Sequence, residues 1–400
     1  MTQPVERSRI ALTVAAFLSM AMAGIFLMIM GTALPAMRVT LQMDMAQAGF
    51  LGSFFWFGLT AAMFAGGALC DILNRQRVVM LACLLMGWSG VFIGVWDFFP
   101  INCFLFGALG AGIGIYSSSS SALIMGLYPR KEGGIINVLH AFQSIGAIAG
   151  PMAMVYVLRQ GWHWQWMYHA AGLCTLILAA IFASFKGEQG KNASSFNYQS
   201  FFQLLREKKL VPLVLISILG IGVQAGLFLW LVSFLQEVRS FPIFSAALGL
   251  SLFSFGMAIG RLLSGWLTAR LGSTNVLLIL LFTLNLALYL LVKVPYDRWS
   301  LAISFMAGIG CSGIYPVVLS LGKMNFPQLS GTTIGILGTT CGVGSIIMPW
   351  LMSLVSQPTS LKMGFFVSNI AAFIAFCLIL SYLKTLRNSE KSYQSSVLSK

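Results

Sequence analysis

Charged side chains are scarce in this chain. Only 8% of its 400 residues are Asp, Glu, Lys or Arg, whereas 58% are hydrophobic. A soluble domain carries roughly 25% charged residues. A chain so poor in charge cannot cover a surface that faces water, so lipid must be its main solvent. The composition therefore excludes an ordinary soluble domain and indicates an integral membrane protein.

Motifs for catalysis and metal binding are also missing. The sequence contains no phosphate-binding glycine loop with lysine, no HExxH motif and no nucleophile–base pairing, so we expect neither an enzyme nor an ATP-driven pump. The seven cysteines lie in or beside apolar runs, and no two have the spacing of metal ligands. We expect them to be small core residues, and we expect no cofactor.

Twelve apolar runs remain, each near the 20 residues that span a bilayer. Backbone polar groups in hydrocarbon must be satisfied within the segment, so the runs must be α-helices. The sequence therefore predicts an all-α integral membrane protein with twelve transmembrane helices. The predicted spans are 10–34, 46–69, 78–97, 101–125, 133–158, 165–185, 210–235, 244–269, 274–293, 299–322, 332–355 and 362–383.

One long polar connection divides these runs into two sets of six. We expect an N-terminal bundle over 1–185, a cytoplasmic linker over 186–209, a C-terminal bundle over 210–385 and a cytoplasmic tail over 386–400. The second part of the linker, residues 201–209, has the composition of an amphipathic helix that lies at the membrane interface.

The distribution of positive charge predicts the orientation. With both termini on one side, that side holds 18 of the 24 Lys and Arg residues. The positive-inside rule then places the termini and the linker in the cytoplasm, and we expect a bacterial inner membrane. This rule also explains the net charge of +14 without a nucleic-acid partner. Trp162, Trp164 and Trp166 suit an aromatic belt at the opposite interface.

The two halves repeat one another. A shift of 198 residues aligns 10 identities in 42 positions, including Gly110 with Gly308, Gly146 with Gly344 and Pro151 with Pro349. Two halves of like orientation and even span number indicate a parallel repeat about an axis normal to the membrane. Such halves can rock about a binding site between them.

The segment after the second run resembles a family signature. It reads Gly67-Ala-Leu-Cys-Asp71-Ile-Leu-Asn74-Arg75-Gln76-Arg77, similar to the G-x-x-x-D-x-x-G-R-[RK]-[RK] loop of the major facilitator superfamily. Asn74 replaces a glycine, which we expect to be tolerated because Asn also visits left-handed turn conformations. The same residues also fit a plain cytoplasmic loop with one acid.

The resemblance implies that Gly67 permits close helix packing and that Asp71 pairs with Arg75 in a latch between the halves. Arg261 is interpreted as a packing and latch residue more readily than as an anion site. The predicted gate residues are Gly67, Asp71, Arg75, Arg77, Arg130 and Arg261.

Two further segments resemble the fucose-permease-like branch of that superfamily, whose members are sugar:proton symporters. They run from Asn137 to Pro151 and from Ile314 to Gly331. Proton-coupled members of the branch use buried carboxylates in their first and fourth helices, and this sequence has none there. A proton relay must then use His140, whose unperturbed pKa is about 6.5, or the solute itself. Otherwise transport is passive.

The fifth run carries the most polar stripe of any span. Asn137, His140 and Ser144 share one face, and Gln143 lies beside it. A polar residue at membrane depth is costly, and it either lines a solute cavity or holds helices together. We favour the cavity. The predicted cavity residues are Asn137, His140, Gln143, Ser144, Tyr116, Ser120, Gln224, Trp230, Trp56 and Tyr315, although the serine run that contains Ser120 serves packing first.

These observations predict a transporter that moves a small polar organic solute, sugar-like by branch resemblance, through alternating access. Its expected partners are that solute, the lipid bilayer and a coupling proton, and we expect a monomer. Two alternatives stay open. The many Met and Phe residues also suit an exporter of amphipathic compounds. A receptor or sensor that does not transport is the alternative of another class.

Overall fold

The computed structural model describes residues 3–128, 132–185, 207, 209–293, 297–383 and 386. Every regular element in this part of the chain is helical. The first six helices are α1 (Gln3–Thr40), α2 (Met45–Ile72), α3 (Arg75–Phe92), α4 (Phe99–Leu127), α5 (Glu132–Arg159) and α6 (Gln165–Ala183). The remainder are α7 (Val211–Glu237), α8 (Ile243–Leu271), α9 (Ser273–Lys293), α10 (Asp297–Ser312), α11 (Ile314–Asn325), a 3₁₀ turn (Pro327–Leu329), α12 (Ser330–Ser356) and α13 (Leu361–Ser381).

The helices form the twelve spans that the sequence predicts, because α10 and α11 together make one span. Within the described residues, ten segments are long and apolar enough to cross a membrane, and one of them, Trp299–Asn325, joins α10 and α11. The other two spans are α2 and α3. Helix α3 begins with Arg75 and Arg77, which lower its mean hydropathy. The chain is therefore an all-α membrane protein of twelve helices.

The chain divides into two compact units, Met1–Ser194 and Ser195–Lys400. Close packing inside each unit depends on glycines at matching positions of the repeat. A Cβ atom on these glycines would overlap backbone atoms of the neighbouring helix, so only glycine allows the two backbones to approach. The matched pairs, 198 residues apart, are Gly58–Gly107 with Gly256–Phe305, and Phe55–Gly110 with Phe253–Gly308.

The third and tenth spans differ from their predicted bounds. Helix α3 ends at Phe92 because Gly94 turns the chain at φ 74° and Asn102 Oδ1 accepts from the Gly94 amide at 2.8 Å. The tenth span is broken at Gly313, between α10 and α11. Pro316 explains the break, because its ring lacks an N–H and clashes with the carbonyl four residues earlier.

The first helix extends beyond the predicted span of 10–34 at both ends. Helix α1 continues through Pro35 to Thr40, so Arg38 lies in its last turn and not in a loop. Trp162, between α5 and α6, and Trp166, at the start of α6, are each 58% exposed, as an aromatic belt at the interface requires, but Trp164 is buried. The predicted interfacial helix over 201–209 falls almost wholly outside the described residues.

Candidate functional site

The polar stripe of α5 lies on a distinct face of that helix. One side of α5 packs on α1, where Gly146 meets the backbone of Ala21. A second side exposes large apolar residues, with Val138 at 44%, Ile145 at 56% and Tyr156 at 64% exposure, which suits lipid contact. At 100° per residue, His140 lies roughly 120° around the helix from Gly146. Asn137, His140 and Ser144 therefore lie away from both Gly146 and the apolar side, whereas the backbone of Gln143 abuts Gly24 of α1.

Two side chains of the stripe, those of His140 and Gln143, contact each other. His140 Nδ1 lies 3.5 Å from Gln143 Oε1, at the long limit of a hydrogen bond. Ser144 Oγ donates to the His140 carbonyl at 3.2 Å. Asn137 is exposed, and the other three are partly buried. The structure thus shows one exposed and three partly buried hydrogen-bonding side chains on neighbouring positions of α5, and their role in binding a solute stays a prediction.

The second unit has no copy of this stripe. The shift of 198 residues places Gly335, Gly338, Cys341 and Gly342 at the corresponding positions of α12. A Cβ atom at Gly335 would meet nothing within 4 Å, and one at Gly338 would have Tyr315 Oη as its nearest neighbour at 3.8 Å. The repeat is therefore symmetric in its packing glycines and asymmetric in its polar residues.

Tyr116 and Ser120 on α4 are packing residues in this structure. Both side chains are fully buried, and Tyr116 Oη donates to the Ala16 carbonyl of α1 at 2.5 Å. Neighbouring hydroxyls bond back to their own helix; Ser117 Oγ, for example, donates to the Ile113 carbonyl at 2.9 Å. Neither side chain has a free surface in this structure, and their role in a solute cavity stays a prediction.

Trp230 on α7 is also buried in this structure, and its role in binding stays a prediction. It is fully buried, and its Nε1 donates to the Pro349 carbonyl of α12 at 3.0 Å. Gln224, Trp56 and Tyr315 are all partly exposed, so they stay available to a solute. Their role in binding stays a prediction.

Between α2 and α3, Asn74 does not adopt the left-handed conformation that was expected from its replacement of glycine. Asn74 is not left-handed: its φ is −59°, and its side chain caps α3 by accepting from the Gln76 amide. This capping role explains why Asn replaces glycine there. Arg75 Nη1 donates to the Ala122 carbonyl of α4 at 3.3 Å. The surroundings of Gly67 and the side chains of Asp71 and Arg130 fall outside the described set, so the Asp71–Arg75 latch stays a prediction.

Gln76 is a structural residue that the sequence reasoning missed. The side chain is 3% exposed, and its Nε2 donates to the carbonyls of Phe182 at 2.6 Å and Phe185 at 2.5 Å. These carbonyls belong to the C-terminal end of α6, where helix carbonyls lack partners within the helix. Gln76 therefore ties the start of α3 to the end of α6. The available signal was its departure from the basic residue of the signature.

Comparison with known proteins identifies the class. The family model of the Major Facilitator Superfamily matches residues 16–347 and 244–397. The chain belongs to the major facilitator superfamily, and it is a multi-pass membrane protein of a transporter family.

Curated relatives match most of the length of the chain at low identity. A protein named TsgA homolog from Buchnera aphidicola subsp. Baizongia pistaciae is 22% identical over 392 residues, covering 93% of this chain and 95% of the relative. The TsgA homolog of Yersinia pestis (strain Pestoides F) is 23% identical over 349 residues, covering 85% of this chain and 86% of the relative.

Solved transporter structures share the fold. The crystal structure of the nucleoside transporter NupG aligns with a TM-score of 0.77 at 15% identity, covering 94% of this chain and 99% of that one. A bacterial homolog of the human lysosomal transporter Spinster, in an inward-facing and unoccupied conformation, aligns with a TM-score of 0.76 at 15% identity, covering 98% and 99%. At this identity the likeness establishes the fold alone.

Proposed function

We propose that this protein carries a small polar organic solute across the bacterial inner membrane by alternating access, with the α5 stripe as part of its binding site. Membership of a transporter family supports the carrier role, and the stripe supports the polarity of the solute. Four hydrogen-bonding side chains at membrane depth are expensive unless they are used. Asn137, His140 and Ser144 share a face that lies away from the apolar residues that suit lipid, and Gln143 lies beside that face, where its backbone meets Gly24 of α1.

The mechanism follows from what the stripe offers. Amide groups on Asn137 and Gln143 both donate and accept, and His140 does either according to its tautomer. A solute with several hydroxyl or carbonyl groups can satisfy such a set, because each buried polar group then gains a partner. A hydroxyl-rich, sugar-like compound is the class that we propose, and nucleosides fit the same donors and acceptors.

His140 is also our proposed site for a coupling proton. No Asp or Glu lies more than one turn inside any described helix. Imidazole titrates near physiological pH, so His140 is the side chain of the stripe that can exchange a proton during the transport cycle.

The test is transport by the purified protein in liposomes. A thermal-shift screen of sugars, nucleosides, amino acids, organic acids and amphipathic drugs selects a compound, and its uptake is then measured. We expect His140→Ala to lower kcat/KM by about tenfold or more, since lost hydrogen bonds of this kind are worth 1 to 3 kcal/mol. His163→Ala is the matched control, because His163 is exposed in the turn after α5.

Two outcomes would contradict the proposal. Unchanged uptake by His140→Ala would remove the stripe from the site. A compound that binds tightly but never crosses the membrane would favour the receptor alternative. A His140→Gln variant separates binding from coupling, because Gln retains hydrogen bonding but cannot titrate. Strong uptake driven by a pH gradient in that variant would show that His140 does not carry the proton.

A further inference from the structure

Arg261 is a charged residue placed near the middle of a membrane helix. It is the nineteenth of the 29 residues of α8, four residues past the midpoint. At 1.5 Å per residue it lies about 6 Å from the middle of the helix, whereas half the hydrocarbon thickness is about 15 Å. Among the described helices, no other Lys or Arg lies more than two turns from both helix ends.

No described group neutralises this charge. The guanidinium of Arg261 makes no hydrogen bond or ion pair with any residue that the structure describes, and no Asp or Glu lies more than one turn inside any of those helices. A cation at this depth is costly unless it is paired or hydrated. Arg261, whose guanidinium has no partner among the described residues, is therefore a candidate site for an anion that the protein binds.

The position of Arg261 around α8 separates it from the lipid. Phe255, Leu262 and Trp266 form an apolar stripe that is 44%, 78% and 53% exposed, which suits contact with acyl chains. Arg261 lies roughly 120° around the helix from that stripe. A headgroup at the lipid face is therefore poorly placed to reach it.

Arg261 instead continues a buried stripe. Leu250, Ser254 and Met257 lie on the same side of α8 at helical spacing, and each is at most 5% exposed. At Arg261 this side of the helix becomes exposed. One turn further on, a Cβ atom at Gly265 would meet nothing within 4 Å. Arg261 is therefore exposed at the end of this buried stripe, roughly 120° around α8 from the apolar stripe.

Snorkelling to the nearer end of α8 does not explain this placement well. Side chains on an α-helix lean toward its N-terminus. For Arg261 that direction leads toward the helix midpoint and away from the end at Leu271. Arg270 shows the contrast, since it lies at that end and stacks over the Trp266 ring at 4.1 Å.

We propose that Arg261 binds the negatively charged group of the solute, so that the transported compound is a small organic anion. A planar guanidinium pairs bidentately with carboxylate or phosphate oxygens, which gives both charge compensation and orientation. This inference rests on the proposed carrier function and narrows its substrate from polar compounds in general to hydroxylated acids.

The test compares pairs of probes that differ by one carboxylate. Gluconate is paired with glucitol and glucuronate with glucose, and the unfolding midpoint of purified protein in neutral detergent is followed against probe concentration. We expect at least one acid to stabilise the wild type more than its neutral partner. Arg261→Gln should raise the half-saturating concentration roughly ten- to a hundredfold, the worth of a charged hydrogen bond. Arg270→Gln removes the same charge from the same helix and should change nothing.

The contrary results are distinct. Acids that bind no better than their neutral partners, or equally well to Arg261→Gln, would overturn the anion assignment. Stabilisation by phosphatidylglycerol vesicles without any effect of soluble acids would assign Arg261 to lipid. Uptake into proteoliposomes is measured in parallel. If both the wild type and Arg261→Gln take up neutral solutes, the carrier function stands and this inference fails. If the wild type takes up no solute at all, the proposed function itself is contradicted.

Discussion

Gln76 offers a sharp test of how the first unit is held together. Replacing it with leucine keeps the approximate length of the side chain and removes both donors to the Phe182 and Phe185 carbonyls. Those carbonyls lie at the C-terminal end of α6 and just after it, and the Gln76 side chain that donates to them is buried. The variant therefore loses two hydrogen bonds between α3 and α6 without removing apolar packing.

The expected cost follows from these contacts. A buried hydrogen bond contributes about 0.5 to 1.5 kcal/mol net, and an unsatisfied carbonyl costs more than one that water can reach. Two such bonds give about 1 to 3 kcal/mol for Gln76→Leu. Gln76→Lys, which restores the basic residue of the family signature, retains a donor and should cost about 1 kcal/mol or less.

A thiol-reactive fluorescent dye measures this stability in detergent. Cys83 and Cys103 are buried in the first unit and become reactive on unfolding, whereas Cys174 is exposed beforehand and is best replaced by serine. Arg77→Gln is the matched control, because Arg77 is an exposed neighbour. An unfolding midpoint of Gln76→Leu equal to that of Arg77→Gln would refute the tie between α3 and α6.

Three further predictions concern packing. Gly308→Leu should destabilise the second unit by about 1 to 3 kcal/mol through overpacking, whereas Gly265→Leu should cost little because nothing lies within 4 Å of its Cβ position; equal thermal shifts would contradict this. The side-chain amides of Asn285 and Asn369 each donate to the other residue's backbone carbonyl, at 3.1 and 3.0 Å. Each leucine variant should therefore lose about 0.6 kcal/mol of stability. The double variant should lose the sum of the two. Tyr116→Phe should cost about 1 kcal/mol of stability and leave the KM for solute unchanged, and a raised KM would return Tyr116 to the site.

Much of the architecture was accessible from the sequence because hydrocarbon imposes few solutions. Apolar runs of span length must be helices, and the repeat located Gly110 and Gly308 at equivalent close contacts. The break at Gly313 was less accessible, because proline in a membrane helix is often tolerated and its effect depends on neighbouring groups. The end of the first span was predicted too early for a related reason, since α1 continues past Pro35.

The site was less predictable than the fold. A polar or aromatic residue in a span has the same local sequence whether it lines a cavity or packs against a neighbour. Trp230 and Tyr116 found backbone carbonyls within their own units, and only tertiary contacts reveal this. The α5 stripe was clearer, because several polar residues on one face cannot all be explained by one packing contact. Arg261 changed its interpretation once its exposure and unpaired guanidinium were known.

The central claim is that this protein carries a small polar solute past the α5 stripe. The direct measurement is uptake into proteoliposomes of the compound that most stabilises the purified protein, compared between wild type, His140→Ala and His163→Ala. The account predicts saturable uptake by wild type and His163→Ala, and uptake lowered about tenfold or more by His140→Ala. Equal uptake by all three proteins, or binding without any uptake, would contradict it.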